Sequence, residues 1–559
     1  MSSAVTTTAP VIDRTTPIIA KPVPWLLGEA VRRFPGRPAL DFMGKTTSYD
    51  QLSRQVAAVA CGLQKLGVKK GDRVALCLPN TPYFVISYYA ILSIGGIVVN
   101  LNPLYVEREI RHLLEDSGAT FLVTLDLEQI LHKILPLLGT SPLEKVVVCS
   151  MRDALPLHKG LAFSLFKSKE LADLPQDSRI LRFSDLLSEK GKAFEVEIDP
   201  KEDVAVLQYT GGTTGIPKAA MLTHANLTGN CDQLMRLVHD LPLGNGSIIV
   251  LLPLFHVFAM TCAMNLGIYC GLELVLLPRW DKDMLRATIK RKKPVMFPGV
   301  PTIFTNVNEA AAEEDWALSS IRYCISGGAP LPMDVRKRFE SLSGGSLVEG
   351  YGLSEASPVV CTNPIWAVRD GSIGPALPGT VVEIRSPEDP SKQCGVGEKG
   401  EVCVRGPQVM KGYWGRAEET ANSFHDGALR TGDIGYIDED GYVFLVDRIK
   451  DVIISGGYNV YPRVIEEALY EHPAIAEAVV IAIPDSHRGQ VPKAFVKLRD
   501  GQSLSYEELQ EFLGDRLSPI ERPRKIEFRD QLPKTLVGKL SKKELVAEEQ
   551  SKSPGEGKK

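Results

Sequence analysis

The segment Tyr209-Thr210-Gly211-Gly212-Thr213-Thr214-Gly215-Ile216-Pro217-Lys218 combines residue types that suit a phosphate chain. Its glycines permit unusual backbone angles and close approach to an anion. Three threonine hydroxyls and one ammonium supply donors, and consecutive backbone amides can form an anion nest. The apolar run Asp203–Gln208 delivers the chain into this loop as a strand. It is not the Gly-Lys-Ser/Thr loop of common nucleoside triphosphatases, because Lys218 follows Pro217 and precedes Ala219.

Other segments could carry chemistry but are ambiguous alone. In Glu349-Gly350-Tyr351-Gly352-Leu353-Ser354-Glu355 an aromatic between glycines can offer its face to a purine, and a carboxylate can hold a hard cation. Taken singly, Tyr351 reads as a packed aromatic, Asp433 in Thr431-Gly432-Asp433 as a turn-former, and Lys539 as a surface lysine. A lone histidine in an apolar run, such as His256, is more often a hydrogen-bonded core residue than a catalyst.

Together these segments resemble the signatures of the adenylate-forming superfamily, which contains acyl-CoA synthetases, luciferases and peptide-synthetase adenylation domains. The resemblance runs from roughly Trp25 to Glu544. The glycine-threonine loop and Leu254-Phe255-His256-Val257-Phe258 are most similar to bacterial long-chain fatty acid–CoA ligases. Ala219 stands where the family often has glycine, and Ser354 where threonine is commoner.

The resemblance implies roles residue by residue. Thr210, Gly211, Gly212, Thr213, Thr214, Gly215 and Lys218 would hold the phosphates. Gly328, Ala329, Glu349, Gly350, Tyr351, Ser354, Asp433 and Arg448 would line the nucleotide, with Tyr351 on adenine and Asp433 on the ribose hydroxyls. Thr210 and Glu355 would be the magnesium ligands, and His256, Val257 and Gly328 would contact the acyl substrate. Ser455, Gly456 and Gly457 would line the coenzyme A tunnel, and Lys450 would be the pivot between two domains. In Pro533-Lys534-Thr535-Leu536-Val537-Gly538-Lys539, Lys539 would reach the α-phosphate. The catalytic set is then Lys539, Lys218 and Glu355.

The chemistry so implied is ATP-dependent activation of a fatty acid as acyl-AMP, followed by transfer to coenzyme A. Both reactants are anions, so catalysis would rest on positioning and charge stabilisation. Fatty acid, ATP, Mg2+ and coenzyme A are the expected partners. A lysine acetyltransferase acting on Lys539, a homodimer and peripheral membrane contact are further expectations. The alternative substrates are medium-chain, dicarboxylic or aromatic acids, though the apolar segments Leu254–Met264 and Ile303–Val307 favour an alkyl chain.

The elements that must position these residues follow from the hydrophobic pattern. Short β-rich runs at 72–78, 97–101, 120–124, 145–149 and 203–208 alternate with helical ones, which predicts α/β layers with mostly parallel sheets. The turn-rich stretch near 380–445 predicts a β-rich subdomain. The expected organisation is a loose lead-in over 1–21, an adenylation domain over 22–446, a small mobile α+β domain over 447–550 hinged at 447–451, and a disordered tail over 551–559.

Composition bounds the rest. At 559 residues the chain exceeds one core, and its 44% hydrophobic and 24% charged content is ordinary for a globular protein. A net charge of −4 offers no field for nucleic acid. The ten cysteines form no Cys-x-x-Cys pair, which suits reduced thiols in a cytoplasmic protein. Ser247–Leu272 lacks charge, but Pro253 interrupts it, so a buried strand, loop and helix is expected instead of a membrane span.

Overall fold

The computed structural model describes residues 12–552 except 192, 211–216, 239, 486 and 536–539. Its centre is a pair of mostly parallel sheets. The first has seven strands in the order Ile180–Arg182, Lys145–Cys149, Phe121–Leu125, Arg73–Cys77, Ile97–Asn100, Val204–Thr210, Lys218–Thr223. All its pairings are parallel except the last, which is an antiparallel hairpin. The second has eight strands and is parallel from Ser346–Gly352 through Pro38–Phe42, with antiparallel edges at Val359–Thr362 and Lys45–Ser48. Strands such as Ile97–Asn100 and Phe121–Leu125 are buried along their whole length, because helices cover both faces of a parallel sheet.

The apolar run after Ser247 is a four-residue buried strand, and Pro253 follows it in a turn. The chain then enters one continuous helix from Val257 to Tyr269, whose middle section Met260–Asn265 is π-helical. No helix among the described residues is long and apolar enough to cross a membrane.

A five-stranded antiparallel sheet spans Val381–Arg448, where the turn-rich stretch was expected to form one. Beyond it lies a second five-stranded sheet, with helices Pro462–Tyr470 and Tyr506–Gly514 packed over strands Ile475–Asp485, Gly489–Leu498 and Lys525–Phe528. This last unit has its own apolar core around Ile465, Leu469, Val480, Val496, Leu509 and Leu513. The sequence pattern had not signalled the hairpin Ile453–Ser455/Tyr458–Val460 that precedes it, whose strands are only three residues long.

Described residues near both termini make contacts that the composition does not suggest. Residues 13–21 do not behave as a loose lead-in. The Arg236 guanidinium donates to the carbonyls of Asp13, Thr16 and Pro17, the Lys21 N–H donates to Thr228, and Ile18 packs beside Gly229 and Gly379. Ser551 and Lys552, placed in the expected tail, end the helix Lys542–Lys552, which Leu545 anchors in the core.

Candidate active site

The base of the glycine-threonine loop is the mouth of a hairpin. Thr210 faces Lys218 across the antiparallel pair Val204–Thr210/Lys218–Thr223, and the Thr210 hydroxyl donates to the Lys218 carbonyl at 3.4 Å. Gly211, Gly212, Thr213, Thr214 and Gly215 lie outside the described residues. The strand that enters the loop is held on two sides. The Tyr209 hydroxyl donates to Asp116 at 2.8 Å, and Arg416 bonds the other oxygen of Asp116 at 2.7 Å. Gln208 accepts from Asn100 and donates to the Phe255 carbonyl at 3.1 Å, which draws the His256 segment toward the loop base. His256 then caps its helix, its Nδ1 accepting the Phe258 N–H at 3.4 Å.

A third segment joins this corner through backbone bonds to the outgoing strand: the Met221 N–H donates to Gly412, and the Trp414 N–H to Ala219. That segment brings in Tyr413. Its hydroxyl donates to Glu355 Oε1 at 2.8 Å, and Lys218 Nζ sits 5.5 Å from the centre of its ring. The Met410 N–H meanwhile donates to the Glu355 carbonyl at 2.7 Å. Thr210, Lys218, Glu355 and Tyr413 are thus gathered at one place. Burial raises the Tyr413 hydroxyl, and the adjacent Glu355 raises it further, so it stays protonated and keeps donating.

Tyr351 stands at the end of the strand Ser346–Gly352 and crosses to the antiparallel sheet. Its hydroxyl donates to Asp433 Oδ2 at 2.6 Å, while Arg448 Nε donates to Asp433 Oδ1 at 2.9 Å. Burial, reinforced by Asp433, raises the Tyr351 hydroxyl well above its ordinary value. Asp433 is not a turn residue: it lies within the strand Ala428–Ile437 opposite Arg448, its N–H bonded to Thr431 Oγ1 at 3.1 Å, and the preceding Gly432 takes a φ of 73° that favours glycine.

The glycines around Tyr351 are steric necessities. A Cβ on Gly352 would lie 1.9 Å from the Pro358 carbonyl oxygen, and one on Gly350 would meet Ile325 Cδ1 at 2.6 Å. Ser354 follows in the short turn that carries Glu355. Gly328 takes a φ of 84° just after the strand Tyr323–Gly327, with Ala329 next to it.

Glu349 points away from this pair, toward the C-terminal sheet. It accepts the Leu331 N–H at 3.2 Å and lies 3.9 Å from the buried Arg463. Burial pushes its carboxyl up, against the pull of Arg463. Arg463 also bonds Glu467, and its N–H donates to Asp447, whose other oxygen takes the Arg448 N–H at 2.7 Å. Asp447 thereby clips the helix Pro462–Tyr470 to the strand that bears Arg448.

The remaining expected residues lie on the C-terminal side. Lys450 is exposed in the short turn Ile449–Asp451. Ser455, Gly456 and Gly457 form the tip of the short hairpin, with φ of 58° and 85° at the glycines, and the Gly456 N–H donates to the Arg488 carbonyl. Ser455 Oγ is buried without a hydrogen-bond partner. Lys539 lies outside the described residues.

An apolar cavity of about 60 Å³ opens between the π-helical segment and the second sheet. Cys262 and Leu266 line it from the helix, Tyr323, Cys324 and Ile325 from the sheet, and Leu234 and Val238 from the neighbouring helix end. The helix segment was foreseen, but 303–307 does not line the cavity. Phe304 and Val307 pack instead into the core on the other side of the sheet. A hydroxyl ties the cavity helix to the polar corner: Thr261 Oγ1 donates to the Ser357 carbonyl, two residues beyond Glu355, at 2.7 Å.

Sequence reading missed Tyr413, Asp116 and Arg463, and gave Asp447 only a place in the hinge. Only Tyr413 carried a signal, as an aromatic within the polar run Lys411–Arg416. The others are ordinary charged residues whose partners are remote in sequence.

Two layered, mostly parallel sheets, an antiparallel subdomain and a small C-terminal unit around the Thr210/Lys218 hairpin make up the fold of a nucleotide-dependent acid-activating enzyme. The chain belongs to the AMP-binding enzyme family, whose model matches residues 27–414, with the AMP-binding enzyme C-terminal domain matching residues 464–539. It is 44% identical over 542 residues to the long-chain-fatty-acid–CoA ligase of Bacillus subtilis (strain 168), covering 96% of each chain. It is 37% identical to the enzyme of that name from Escherichia coli O157:H7, covering 94% of each. Among solved structures it superposes on ATP-bound MatB from Rhodopseudomonas palustris with a TM-score of 0.80 at 27% identity, over 94% of this chain and 100% of that one. The anthranilate CoA ligase AuaEII in complex with anthranoyl-AMP gives 0.81 at 26% identity, over 95% and 98%.

Proposed function

We propose that this enzyme is an ATP-dependent long-chain fatty acid–CoA ligase that forms acyl-AMP and pyrophosphate, then acyl-CoA and AMP. The observation that carries the reading is the meeting of three features: the Thr210/Lys218 hairpin mouth, the Tyr351–Asp433 pair, and a largely apolar cavity whose helix is tied to the same corner through Thr261. The names of its relatives support the acyl class.

In this reading Lys218 and the threonine hydroxyls hold the triphosphate. Asp433, held at both oxygens, takes the ribose hydroxyls, and the Tyr351 ring takes adenine. The fatty acid carboxylate lies near His256 and Gly328 with its tail in the apolar cavity, and attacks the phosphorus nearest the ribose. Lys539 offsets the charge that develops there. Coenzyme A enters past Ser455, Gly456 and Gly457 after the C-terminal unit turns about Lys450.

Magnesium fits the oxygen donors present. Glu355 is oriented by the Tyr413 hydroxyl, and Thr210 offers a second oxygen. Among the described residues no cluster of three or more His, Cys, Asp or Glu side chains could hold a metal alone. When bound, magnesium would neutralise phosphate charge. Neutralisation of Lys539 by an acetyltransferase would then silence adenylate formation, and the enzyme would act as a homodimer.

The test is ATP–pyrophosphate exchange and thioester formation across acids of increasing chain length, with AMP and pyrophosphate quantified. Exchange that depends on a long-chain acid supports the reading. Release of orthophosphate without AMP would overturn it.

A further inference from the structure

The helix Leu157–Phe166 is apolar on both its faces yet lies at the surface. Its inward face is Gly160, Phe163 and Ser164: Gly160 is buried so closely that a Cβ would meet the Arg152 carbonyl at 2.7 Å, and Phe163 packs on the core. The outward face carries Leu157, Leu161 and Leu165 at four-residue spacing, followed by Phe166. They are 81%, 47%, 75% and 86% exposed. Four of the sixteen exposed large apolar side chains among the described residues thus fall within ten residues of chain. A clustered apolar patch of this kind on an exposed helix face marks an interaction site.

The flanking charge says what covers it. The stretch Leu157–Lys169 contains Lys159, Lys167 and Lys169 and no acidic residue, although the whole chain carries a net charge of −4. Lys159 reaches the Met43 carbonyl at 2.8 Å, and Lys167 pairs with Glu170, the first acidic residue beyond the stretch. Leucine and phenylalanine tips with a lysine fringe match the boundary between acyl chains and anionic headgroups.

We propose that the outward face of Leu157–Phe166 docks the enzyme on an anionic lipid surface, with Leu161, Leu165 and Phe166 entering the acyl boundary and the lysines meeting the headgroups. The inference is independent of the reaction catalysed.

Flotation of the full chain with phosphatidylglycerol and with phosphatidylcholine vesicles, in the absence of nucleotide and acid, tests it. The wild type is expected to float with phosphatidylglycerol, less so at 0.5 M salt (~0.5 M, where the Debye length is well below its physiological ~8 Å) and weakly with phosphatidylcholine. The double variant Leu165→Glu/Phe166→Glu should bind at least ten-fold more weakly, and Lys167→Glu/Lys169→Glu should lose the preference for phosphatidylglycerol. Unchanged thermal melts and unchanged turnover of a short, water-soluble acid show that the variants are folded. Failure of the wild type to float, or equal flotation of all three proteins, overturns the proposal. So does a wild-type dimer in sedimentation that the Leu165/Phe166 variant disperses, since the face would then belong to a second copy of the chain.

Discussion

The Tyr413 hydroxyl donates to the Glu355 carboxylate at 2.8 Å while the face of its ring lies 5.5 Å from Lys218 Nζ, so one side chain from a remote loop orients both an acid and a cation. Removing only the hydroxyl separates these two effects. Tyr413→Phe keeps the ring beside Lys218 and frees Glu355. The Mg2+ concentration at half-maximal rate should rise about ten-fold, as for the loss of a group that orients a metal ligand, with little change in KM for ATP at saturating Mg2+. A magnesium titration of ATP–pyrophosphate exchange reads this directly.

Asp433 is held by two donors, Tyr351 and Arg448. In Tyr351→Phe the ring remains for adenine but the carboxylate loses one charge-assisted bond. Such bonds contribute roughly 1.5–3 kcal/mol, so KM for ATP should rise about ten-fold. Initial-rate kinetics with varied ATP would check this. An unchanged KM would show that Arg448 alone fixes Asp433.

The cavity wall at Cys262 is fully buried. Cys262→Phe fills the cavity from the helix side. It should lower kcat/KM for a sixteen-carbon acid (~16 carbons) by roughly ten-fold or more relative to an eight-carbon one (~8), the scale on which pockets discriminate methylenes. Competition between the two acids would report the ratio.

Gly352→Ala tests the strand end that presents Tyr351. The added Cβ would collide with backbone, the Pro358 carbonyl, and not with a flexible side chain. Overpacking of this kind costs about 3 kcal/mol or more, so the thermal midpoint should fall by several degrees or folding should fail. Gly36→Ala, where nothing lies within 4 Å of the new Cβ, should be near neutral.

His224 sets a pH limit on stability. It is buried at the start of the helix His224–Met235, accepts the Val23 N–H at 3.1 Å, and burial lowers its pKa from 6.5 to about 4. The unfolded chain therefore binds a proton that the folded chain refuses. The stabilisation is complete above pH 6.5 and is lost as pH falls toward 4. At ~1.4 kcal/mol per unit, about 2 kcal/mol is gone by pH ~5. Denaturant titrations at pH ~7 and ~5 should show a shallower loss in His224→Gln than in the wild type.

How much was legible beforehand depended on whether the signal was local. Buried strands such as Arg73–Cys77 and Phe121–Leu125 fell where the short apolar runs placed them, since a strand with both faces covered reads as a short apolar run. The glycines at 350 and 352 stood out by residue type. The pairing of Tyr351 with Asp433, 82 residues apart, did not. Nor did the order of residues 13–21, whose polar composition imitates a loose end although Arg236 holds its carbonyls.

The sequence by itself determined the layered α/β class, the break at Pro253 and the residue types able to grip a phosphate chain, because periodicity, backbone restriction and hydrogen-bonding capacity are properties of neighbours in the chain. Tertiary structure alone decided that Tyr413 orients Glu355, that Arg463 faces Glu349, that residues 303–307 line a core and not the cavity, and that Leu157–Phe166 turns its leucines outward. Those outcomes depend on which elements meet across the sheets, and folding chooses such contacts between segments with no local bond to one another.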